Sequence, residues 1–589
     1  MTTTRWIYLS CQVAAVVCIL AAHCPAAGNE IADMIVQAHA DGKTEVTIPP
    51  GIYTSSNYGV NLKDIGNLTV NGDGVTLLAG IGISLTRCHD MTFSGFTLDQ
   101  SPLQFTQGTI SAVSPPNGPA AAWIEFKVDA GYPQFPVTFK PTSIGIFDPE
   151  SHQWKRGVPD LYAKDVQTID ADTARLHLAS FPDGIVNVKV GDSIVLKSSG
   201  ISGISVNQCD NLTFKDITLF HSGILVSQSG RGMVLDHITI ARGPRPEGAT
   251  RDRLLAALSD GVHYANSRFG PTIENCDFGF QGDDGVNLHG PTLALVGFEP
   301  PRTAWVAYRI KDPLDQLVQP GDMLRCMDPN TYSVMQELTI ATIEREQQDL
   351  PEALAILRKA IDNKGLDNAF VFKVTIEESL DDLPLGVVCD IPQLNCPNFV
   401  IRNNVFHDNR GRGLRIDASD GVIEHNRIER TKMAGIALGP EYPFWGEAGW
   451  VTNVQIIGNH LTDINTYSTT AVNGWPDGGA ISVGVKLPIT WDKKLSSTTT
   501  VPSGNRKIVI RGNVIDRAAL NGIYINAASD VLVEDNKMRE TNYYQAAGRD
   551  RHLYRLNIGK GIDVTNSKQV VLKNNQIERN KAKPQAKRR

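Results

Sequence analysis

Residues 399–438 read FVIRNNVFHDNRGRGLRIDASDGVIEHNRIERTKMAGIAL and contain one pattern twice. In each copy, apolar residues at alternate positions lead into a polar turn rich in Asn, and a second apolar segment opening with Gly follows. The copies are 22 residues apart, from Ile401 to Ile423. Short strands and polar turns at a period in the low twenties predict a parallel β-helix, in which stacked coils bury a continuous apolar column.

The pattern occurs eleven times along the chain, the first copy beginning at Leu68. A leucine-rich repeat has a similar period, but its Leu-rich consensus is absent here. Ahead of the first coil, Ile31, Met34, Ile35 and Ala38 lie on one helical face. They predict an amphipathic helix that covers the open end of the column, as solenoids require.

Two long gaps interrupt the repeat, and both contain alternating strand patterns typical of small β-barrels. We therefore predict an all-β protein, a right-handed parallel β-helix with two inserted small β-barrel-like domains. The expected divisions are a signal peptide at 1–27, a cap helix and first coils at 28–98, one insertion at 99–207, coils at 208–290, a second insertion at 291–395, C-terminal coils at 396–580 and a basic tail at 581–589.

Composition narrows the class of protein. Of the 589 residues, 41% are hydrophobic and 20% charged, which excludes a disordered chain and a coiled coil. A net charge of -7 argues against a nucleic-acid partner, because that role needs a basic face.

The N-terminus has the form of a secretory signal, with Arg5 before an apolar run at 7–22 and small residues after it. We expect an exported protein, periplasmic or extracellular, without a membrane span once the signal is removed. An uncleaved anchor or a lipoprotein linked through Cys24 are the alternatives. Among the later cysteines, Cys326 could form a bridge with Cys389 or with Cys396.

An acidic cluster carries the chemical signal. The segment Asp260-Gly-Val-His263 resembles Asp284-Gly-Val-Asn287 at an offset of 24 residues, one coil. Stacked strands lie about 4.8 Å apart, so Asp260 and Asp284 should be neighbours, with Asp283 beside them. The same register places Arg412 one coil beyond Asp284 and Arg415 one coil beyond Asn287.

Three stacked carboxylates repel one another, so a purely structural role is costly. A polar turn ladder or a calcium site is the structural alternative. The chemical reading is glycoside hydrolysis, which needs a protonated carboxyl group and an ionised one. Asp260 and Asp284 are placed to hold and deprotonate one water, which implies inversion, and Asp283 is the candidate acid.

Further polar and aromatic residues accompany the three candidate catalytic aspartates. The predicted substrate-binding residues are His263, Asn287, His289, Arg412, Arg415, Trp445 and Glu447. Trp445 could stack on a sugar face or simply cover an apolar coil edge. His263 and His289 could equally be structural partners of the aspartates.

The chain resembles glycoside hydrolase family 110, the exo-acting α-1,3-galactosidases. The resemblance is carried by residues 98–110, 260–263, 273–276, 282–290 and 444–447. It implies a β-helix with two barrels, an inverting reaction without cofactor or metal, and Asp283 as acid with Asp260 and Asp284 as base. It also implies an oligosaccharide or polysaccharide substrate with terminal α-galactose, and that a homodimer can form.

Two alternatives remain open at this point. An inverting polygalacturonase-like hydrolase of acidic polysaccharide also uses three aspartates on a β-helix, but its Gly-His-Gly element and basic strand are missing here. A non-catalytic carbohydrate-binding β-helix protein would tolerate replacement of the aspartates.

Overall fold

The fold is described from a computed structural model. The described residues are 30–114, 122–141, 143–158, 160–179, 187–198, 202–220, 222–311, 313–346, 352–379, 383–466, 477–486, 504–541 and 561–578. The predicted signal peptide and basic tail lie outside them. Within these ranges, no helix has the length and apolar content needed to cross a membrane.

Three long sheets form the column, and successive coils pair in parallel. The first sheet contains Glu45–Thr47, Gly66–Asn71, His89–Ser94, Asp210–Lys215, Val234–Asp236, Thr272–Glu274, Val400–Arg402, Gly421–Glu424, Thr452–Ile457, Asn505–Arg511, Ala528–Glu534 and Lys568–Lys573. The second contains Gly51–Thr54, Val75–Leu78, Thr97–Asp99, Thr218–Phe220, Thr239–Ala241, Asp277–Gly279, Val405–His407, Arg427–Glu429, His460–Ile464, Val514–Ala518, Lys537–Thr541 and Gln576–Ile577. The third contains Tyr58–Lys63, Ile81–Thr86, Ser202–Asn207, Gly223–Ser227, Val262–Ala265, Val286–Pro291, Leu414–Ile416, Ile436–Leu438, Gly479–Val483, Asn521–Asn526 and Ile562–Thr565, with the short strand Glu447–Ala448 paired antiparallel to Val286–Pro291.

Register explains why the repeat stacks. In the first sheet Val70 pairs with Phe93, Phe93 with Phe214, and Phe214 with Leu235, and all four side chains are fully buried. Each fully buried side chain of this size contributes about 1.5–3 kcal/mol relative to an exposed one. The alternation seen in the sequence therefore becomes one continuous apolar core running through the coils.

A ladder of asparagines binds the turns of the C-terminal coils. Asn404, Asn426, Asn459 and Asn513 each donate through Nδ2 to Oδ1 of the asparagine on the next coil, at 2.9–3.0 Å. Cys276 occupies the rung before Asn404 and donates its backbone N–H to that side chain at 2.9 Å. The ladder satisfies buried polar groups that the turns would otherwise leave unpaired.

The predicted cap helix spans Glu30–Ala40 and buries Ile31, Ile35 and Ala38 against the first coil. Three short helices lie in or beside the second barrel, and they are Leu314–Leu317, Ala353–Ala360 and the 3₁₀ turn Pro392–Leu394.

Both insertions are closed six-stranded barrels. The first consists of Phe105–Val113, Trp123–Val128, Ser143–Phe147, Leu161–Thr168, Thr173–Leu178 and Ser193–Lys197, and the second of Leu293–Glu299, Thr303–Tyr308, Met323–Met327, Val334–Arg345, Phe370–Ile376 and Val388–Asp390. The predicted parallel β-helix with two inserted barrels is thus confirmed.

The six described cysteines are buried thiols. Cys326 and Cys389 lie opposite each other in the second barrel, with their sulfur atoms 3.5 Å apart. Cys396 instead belongs to the core of the column, where its Sγ faces the carbonyl of His289. Of the two partners expected for Cys326, the fold brings Cys389 into contact.

Candidate active site

The predicted coil register is present. In the third sheet His263 pairs with Asn287 and Asn287 with Arg415, which reproduces the offset of one coil at each step. The turn before these strands brings Asp260, Asp283 and Asp284 together, so that one oxygen atom from each lies within 4.8 Å of the others.

Asp260 is held at both oxygen atoms. Oδ1 accepts the backbone N–H of Asp284 at 3.0 Å, and Oδ2 faces His263 Nδ1 at 2.8 Å. Burial lowers the pKa of His263, but the hydrogen bond and charge of Asp260 outweigh it and leave that pKa raised. The contact with His263 therefore orients the Asp260 carboxylate.

The hydrogen-bond partners of His263 and His289 indicate which ring nitrogens carry protons. His289 Nδ1 lies 3.0 Å from the carbonyl of Gly290, which can only accept, so Nδ1 carries the proton. Burial lowers the pKa of His289 to about 4, so its Nε2 is an acceptor at neutral pH. His263 Nε2, 3.1 Å away, must then donate to it.

Asp284 is the most deeply placed of the three, with its side chain 6% exposed. Its Oδ1 accepts the backbone N–H of Arg412 at 2.5 Å, and its Oδ2 lies 3.3 Å from Arg412 Nη1. Burial, reinforced by Asp283 and Asp260, raises the pKa of Asp284 well above its usual range despite the charge of Arg412. Gly411 allows this packing, because a Cβ there would lie 2.2 Å from Asp284 Oδ1.

Asp283 is the most accessible carboxylate, with a side chain 40% exposed against 12% for Asp260. Its Oδ1 lies 2.8 Å from Arg410 Nη1. Burial raises the pKa of Asp283, Arg410 opposes that rise, and Asp260 supports it, so that the net pKa is above the ordinary value. A carboxyl group with a raised pKa that is open to solvent suits general acid catalysis.

Arg410 was not identified from the sequence, and neither was its second partner. Arg410 Nε donates to Asp160 Oδ1 at 3.0 Å, and its Nη2 donates to Asp160 Oδ2. Asp160 belongs to the first barrel, 250 residues away in the chain. The Arg-Gly-Arg sequence at 410–412 was a signal for Arg410, but no local pattern marks Asp160.

Arg412 and Arg415 are both buried on the coil that follows Asp284. Arg412 binds Glu441 at 2.8 Å and Asp477 at 3.0 Å in addition to Asp284. Arg415 has no exposed surface, and its guanidinium binds Asp417 and the carbonyl of Gly439. Arg412 thus contacts a catalytic candidate directly, whereas the guanidinium of Arg415 is fully buried among its own partners.

Glu447 lies on the short strand that pairs with Val286–Pro291, next to Asn287 and His289. Its Oε1 accepts from Asn287 Nδ2 at 3.3 Å and lies 3.9 Å from His289 Nε2. Burial raises the pKa of Glu447, but the histidines, Arg415 and Arg309 together lower it to about 2. Glu447 is therefore an anion that can accept hydrogen bonds from sugar hydroxyls.

Two unsatisfied atoms accompany Glu447. Asn287 Oδ1 and Arg309 Nε are buried with no hydrogen-bond partner among the described residues. Arg309 follows the second strand of the second barrel, beside the Gly446 turn. Buried groups of this kind need an explanation, and a polar ligand would satisfy both.

Trp445 and Phe444 form an exposed aromatic pair just before Glu447 in the chain. Their ring centroids are 4.8 Å apart at 87°, and Trp445 is 43% exposed. The pair rests on the second barrel, where Asn363 Nδ2 donates to the carbonyl of Phe444 at 2.7 Å. The exposed indole is available for stacking on a sugar, and that role of Trp445 stays a prediction.

The three aspartates are also the group of described residues that could bind a cation. Ca²⁺ takes six to eight oxygen ligands. In this site Arg410 and Arg412 lie against Asp283 and Asp284 and supply positive charge themselves.

The chain is similar in sequence to several proteins of known name. No protein-family model matches the chain. Over 559 residues it is 22% identical to alpha-1,3-galactosidase B of Bacteroides thetaiotaomicron, covering 89% of this chain and 82% of that one. It is 23% identical over 556 residues to alpha-1,3-galactosidase A of Bacteroides fragilis strain YCH46, covering 87% and 80%.

A third relative, alpha-1,3-galactosidase A of Streptomyces avermitilis, is 23% identical over 448 residues, covering 70% of this chain and 67% of its own. These similarities confirm the resemblance to α-1,3-galactosidases. Among solved structures, an exopolygalacturonase of Thermotoga maritima matches at a TM-score of 0.39 and 11% identity, covering 93% of this chain and 87% of that one. A surface adhesin of Streptococcus pneumoniae matches at 0.41 and 13%, covering 93% and 84%.

Proposed function

We propose that this chain is an exported exo-glycosidase that removes terminal α-1,3-linked galactose from oligosaccharides or polysaccharides with inversion of configuration. The observation that carries the proposal is the set of three aspartates brought together by equivalent turns of two successive coils. Relatives named as α-1,3-galactosidases over most of the chain support the choice of sugar and linkage.

The three carboxylates divide the chemistry. Asp283, accessible and with a raised pKa, donates a proton to the leaving oxygen. Asp260 and Asp284 hold a water between them, and Asp260 accepts its proton as the water attacks the anomeric carbon from the opposite face, because the raised pKa of Asp284 disfavours its ionised form. The hydrogen bond between His263 Nδ1 and Asp260 Oδ2 holds that carboxylate in place.

The residues around Glu447, here called the pocket end of the site, recognise the galactose ring. Glu447 accepts from hydroxyl groups, Asn287 Oδ1 accepts and Arg309 Nε donates. The exposed indole of Trp445 stacks on the apolar face of the sugar ring. Hydrogen bonds to charged partners in such a site contribute about 1.5–3 kcal/mol each.

The deciding experiment follows the anomer of released galactose by NMR with galactose-α-1,3-galactose as substrate. β-Galactose appearing first, and its loss in Asp283→Asn, is the expected result. α-Galactose appearing first means retention and contradicts the water-holding role of Asp260 and Asp284. The α-1,4 and α-1,6 isomers in parallel reactions test the linkage.

The same assay separates the two alternatives. Cleavage of an oligogalacturonide but of no galactoside would favour the uronide hydrolase. Binding of the galactoside that survives Asp283→Asn, without cleavage by the parent protein, would favour a carbohydrate-binding protein. Export and a homodimer are parts of the proposal that fractionation of the native producer and light scattering of the purified chain would test.

A further inference from the structure

The first barrel reaches the carboxylate cluster through one ion-pair relay. Asp160 lies just before the strand Leu161–Thr168, and Arg410 lies on the coil turn that also carries Gly411. Two guanidinium nitrogens of Arg410 bind the two oxygens of Asp160, and the third, Nη1, lies 2.8 Å from Asp283 Oδ1. One arginine therefore bridges a barrel carboxylate and the candidate acid.

The bridge has a direct chemical consequence. An arginine bound to one carboxylate alone favours the ionised form of that carboxylate strongly. A two-point ion pair with a second carboxylate fixes the guanidinium plane and offsets its charge. Asp160 holds both of the fork nitrogens, so Asp283 faces a cation that is already neutralised in part.

We propose that Asp160 is a positioning residue that shares the charge of Arg410, so that Asp283 keeps its proton at the pH of catalysis and the first barrel sets the alkaline limit of activity. The inference rests on the proposed function, because it concerns the acid of that reaction.

Other charged and polar groups lie close to Asp160, Arg410 and the turn before Asp260, and they also influence the protonation of Asp283. Lys432 Nζ lies 3.8 Å from Asp160 Oδ1, and Tyr162 Oη lies 3.4 Å from Arg410 Nη2. Lys197, the last residue of the first barrel's final strand, donates to the carbonyl of Leu258 on the turn before Asp260.

The electrostatics are consistent with the relay. Asp160 is ionised, because Arg410 and Lys432 outweigh its burial and lower its pKa to about 2. Burial lowers the pKa of both Lys197 and Lys432 to about 8, so these amines titrate on the alkaline side. Asp260 and Asp160 raise the pKa of Asp283, whereas Arg410 and Lys197 lower it.

The test compares the pH dependence of kcat/KM for the parent protein and Asp160→Asn on galactose-α-1,3-galactose. Removing the charge of Asp160 leaves Asp283 facing the full charge of Arg410, which lowers the pKa of Asp283. The alkaline limb of the pH profile should therefore move to lower pH by about one unit. The loss should shrink on an aryl α-galactoside with a good leaving group, which needs little help from an acid.

Two variants control for structure. Asp165→Asn removes an exposed charge on the same strand, paired with His177 at the surface, and should leave the profile unchanged. Asp160→Glu keeps the charge and should restore most of the parental limb. A fall in kcat/KM that is equal at every pH for Asp160→Asn, or a Glu variant shifted as far as the Asn variant, would overturn the proposal.

A second readout needs no activity. Carbodiimides modify protonated carboxyl groups, so the pH above which the Asp283 peptide stops being labelled, read by mass spectrometry, reports its protonation. That pH should be lower in Asp160→Asn than in the parent protein. If no galactoside is cleaved, the proposed function fails, while an unchanged labelling profile contradicts the relay separately.

Discussion

The two inserted barrels share one plan. In both, the strands follow the circular order first, second, fifth, fourth, third, sixth, and every pair is antiparallel. Both also carry the sequence Asp-Pro-x-Ser/Thr after the third strand. Asp148 accepts the backbone N–H of Ser151, and Asp328 that of Thr331, each at 2.9 Å.

The barrels nevertheless serve different parts of the site. The first contributes Asp160 and Lys197, which act on the candidate acid through Arg410 and the Asp260 turn. The second contributes Arg309 and supports the aromatic pair through Asn363. The shared strands provide a scaffold, and residues at or just beyond the strand ends determine which part of the site each barrel contacts.

The largest effect should come from the carboxylate group that both barrels surround. Asp283→Asn should lower kcat on galactose-α-1,3-galactose by about 10²–10⁴-fold, the range for loss of a general acid. KM should change little, because Asp283 is not part of the pocket end. Asp535→Asn, at an exposed turn position with φ 56°, is the matched control and should be silent.

A smaller effect should separate the second barrel from the first. Arg309→Met removes a buried donor at the pocket end and should raise KM by about tenfold, as expected for a hydrogen bond from a charged group. The alkaline limb of the pH profile should stay in place, in contrast to Asp160→Asn. Arg302→Met, in an exposed turn of the same barrel, serves as the reference, and an equal effect there would contradict the assignment.

The histidine pair predicts opposite pH effects on stability. The pKa of His289 is lowered to about 4, so below pH 6.5 the unfolded chain binds a proton that the folded chain refuses, and stability falls as pH falls. The contribution between pH 7 and pH 5 is roughly 2 kcal/mol. His263 has a raised pKa, so its contribution is present at acid pH and is lost as pH rises.

Urea midpoints at pH 7 and pH 5 test that pair. His289→Gln should reduce the acid loss of stability, and His263→Gln should increase it. A change of the same sign in both variants would contradict the assigned proton positions.

Cysteines also distinguish the two barrels, and their oxidation should leave catalysis unchanged. The first insertion contains no cysteine, whereas Cys326 and Cys389 face each other in the second. Refolding in a glutathione redox buffer should yield a Cys326–Cys389 peptide by mass spectrometry, with activity unchanged. Cys326→Ser should abolish that peptide, and recovery of a Cys326–Cys396 peptide instead would contradict the fold.

Much of the candidate site could be predicted from the sequence because residues one repeat apart in the chain become neighbours in space. Asp260 and Asp284, 24 residues apart, had to stack once the period was recognised. Arg415 shows the limit of the argument. Its register beside Asn287 was right, but Gly439 and Asp417 bind its guanidinium and bury it.

The sequence by itself therefore determined the β-helix, the cap, the two insertions and the neighbourhood of the three aspartates, because these depend on local alternation and a fixed period. Only the tertiary structure decided that Asp160 binds Arg410 and that Arg309 reaches the Gly446 turn. Those contacts depend on how each barrel packs against the column. That packing is set by many long-range contacts at once, and no short stretch of sequence encodes it.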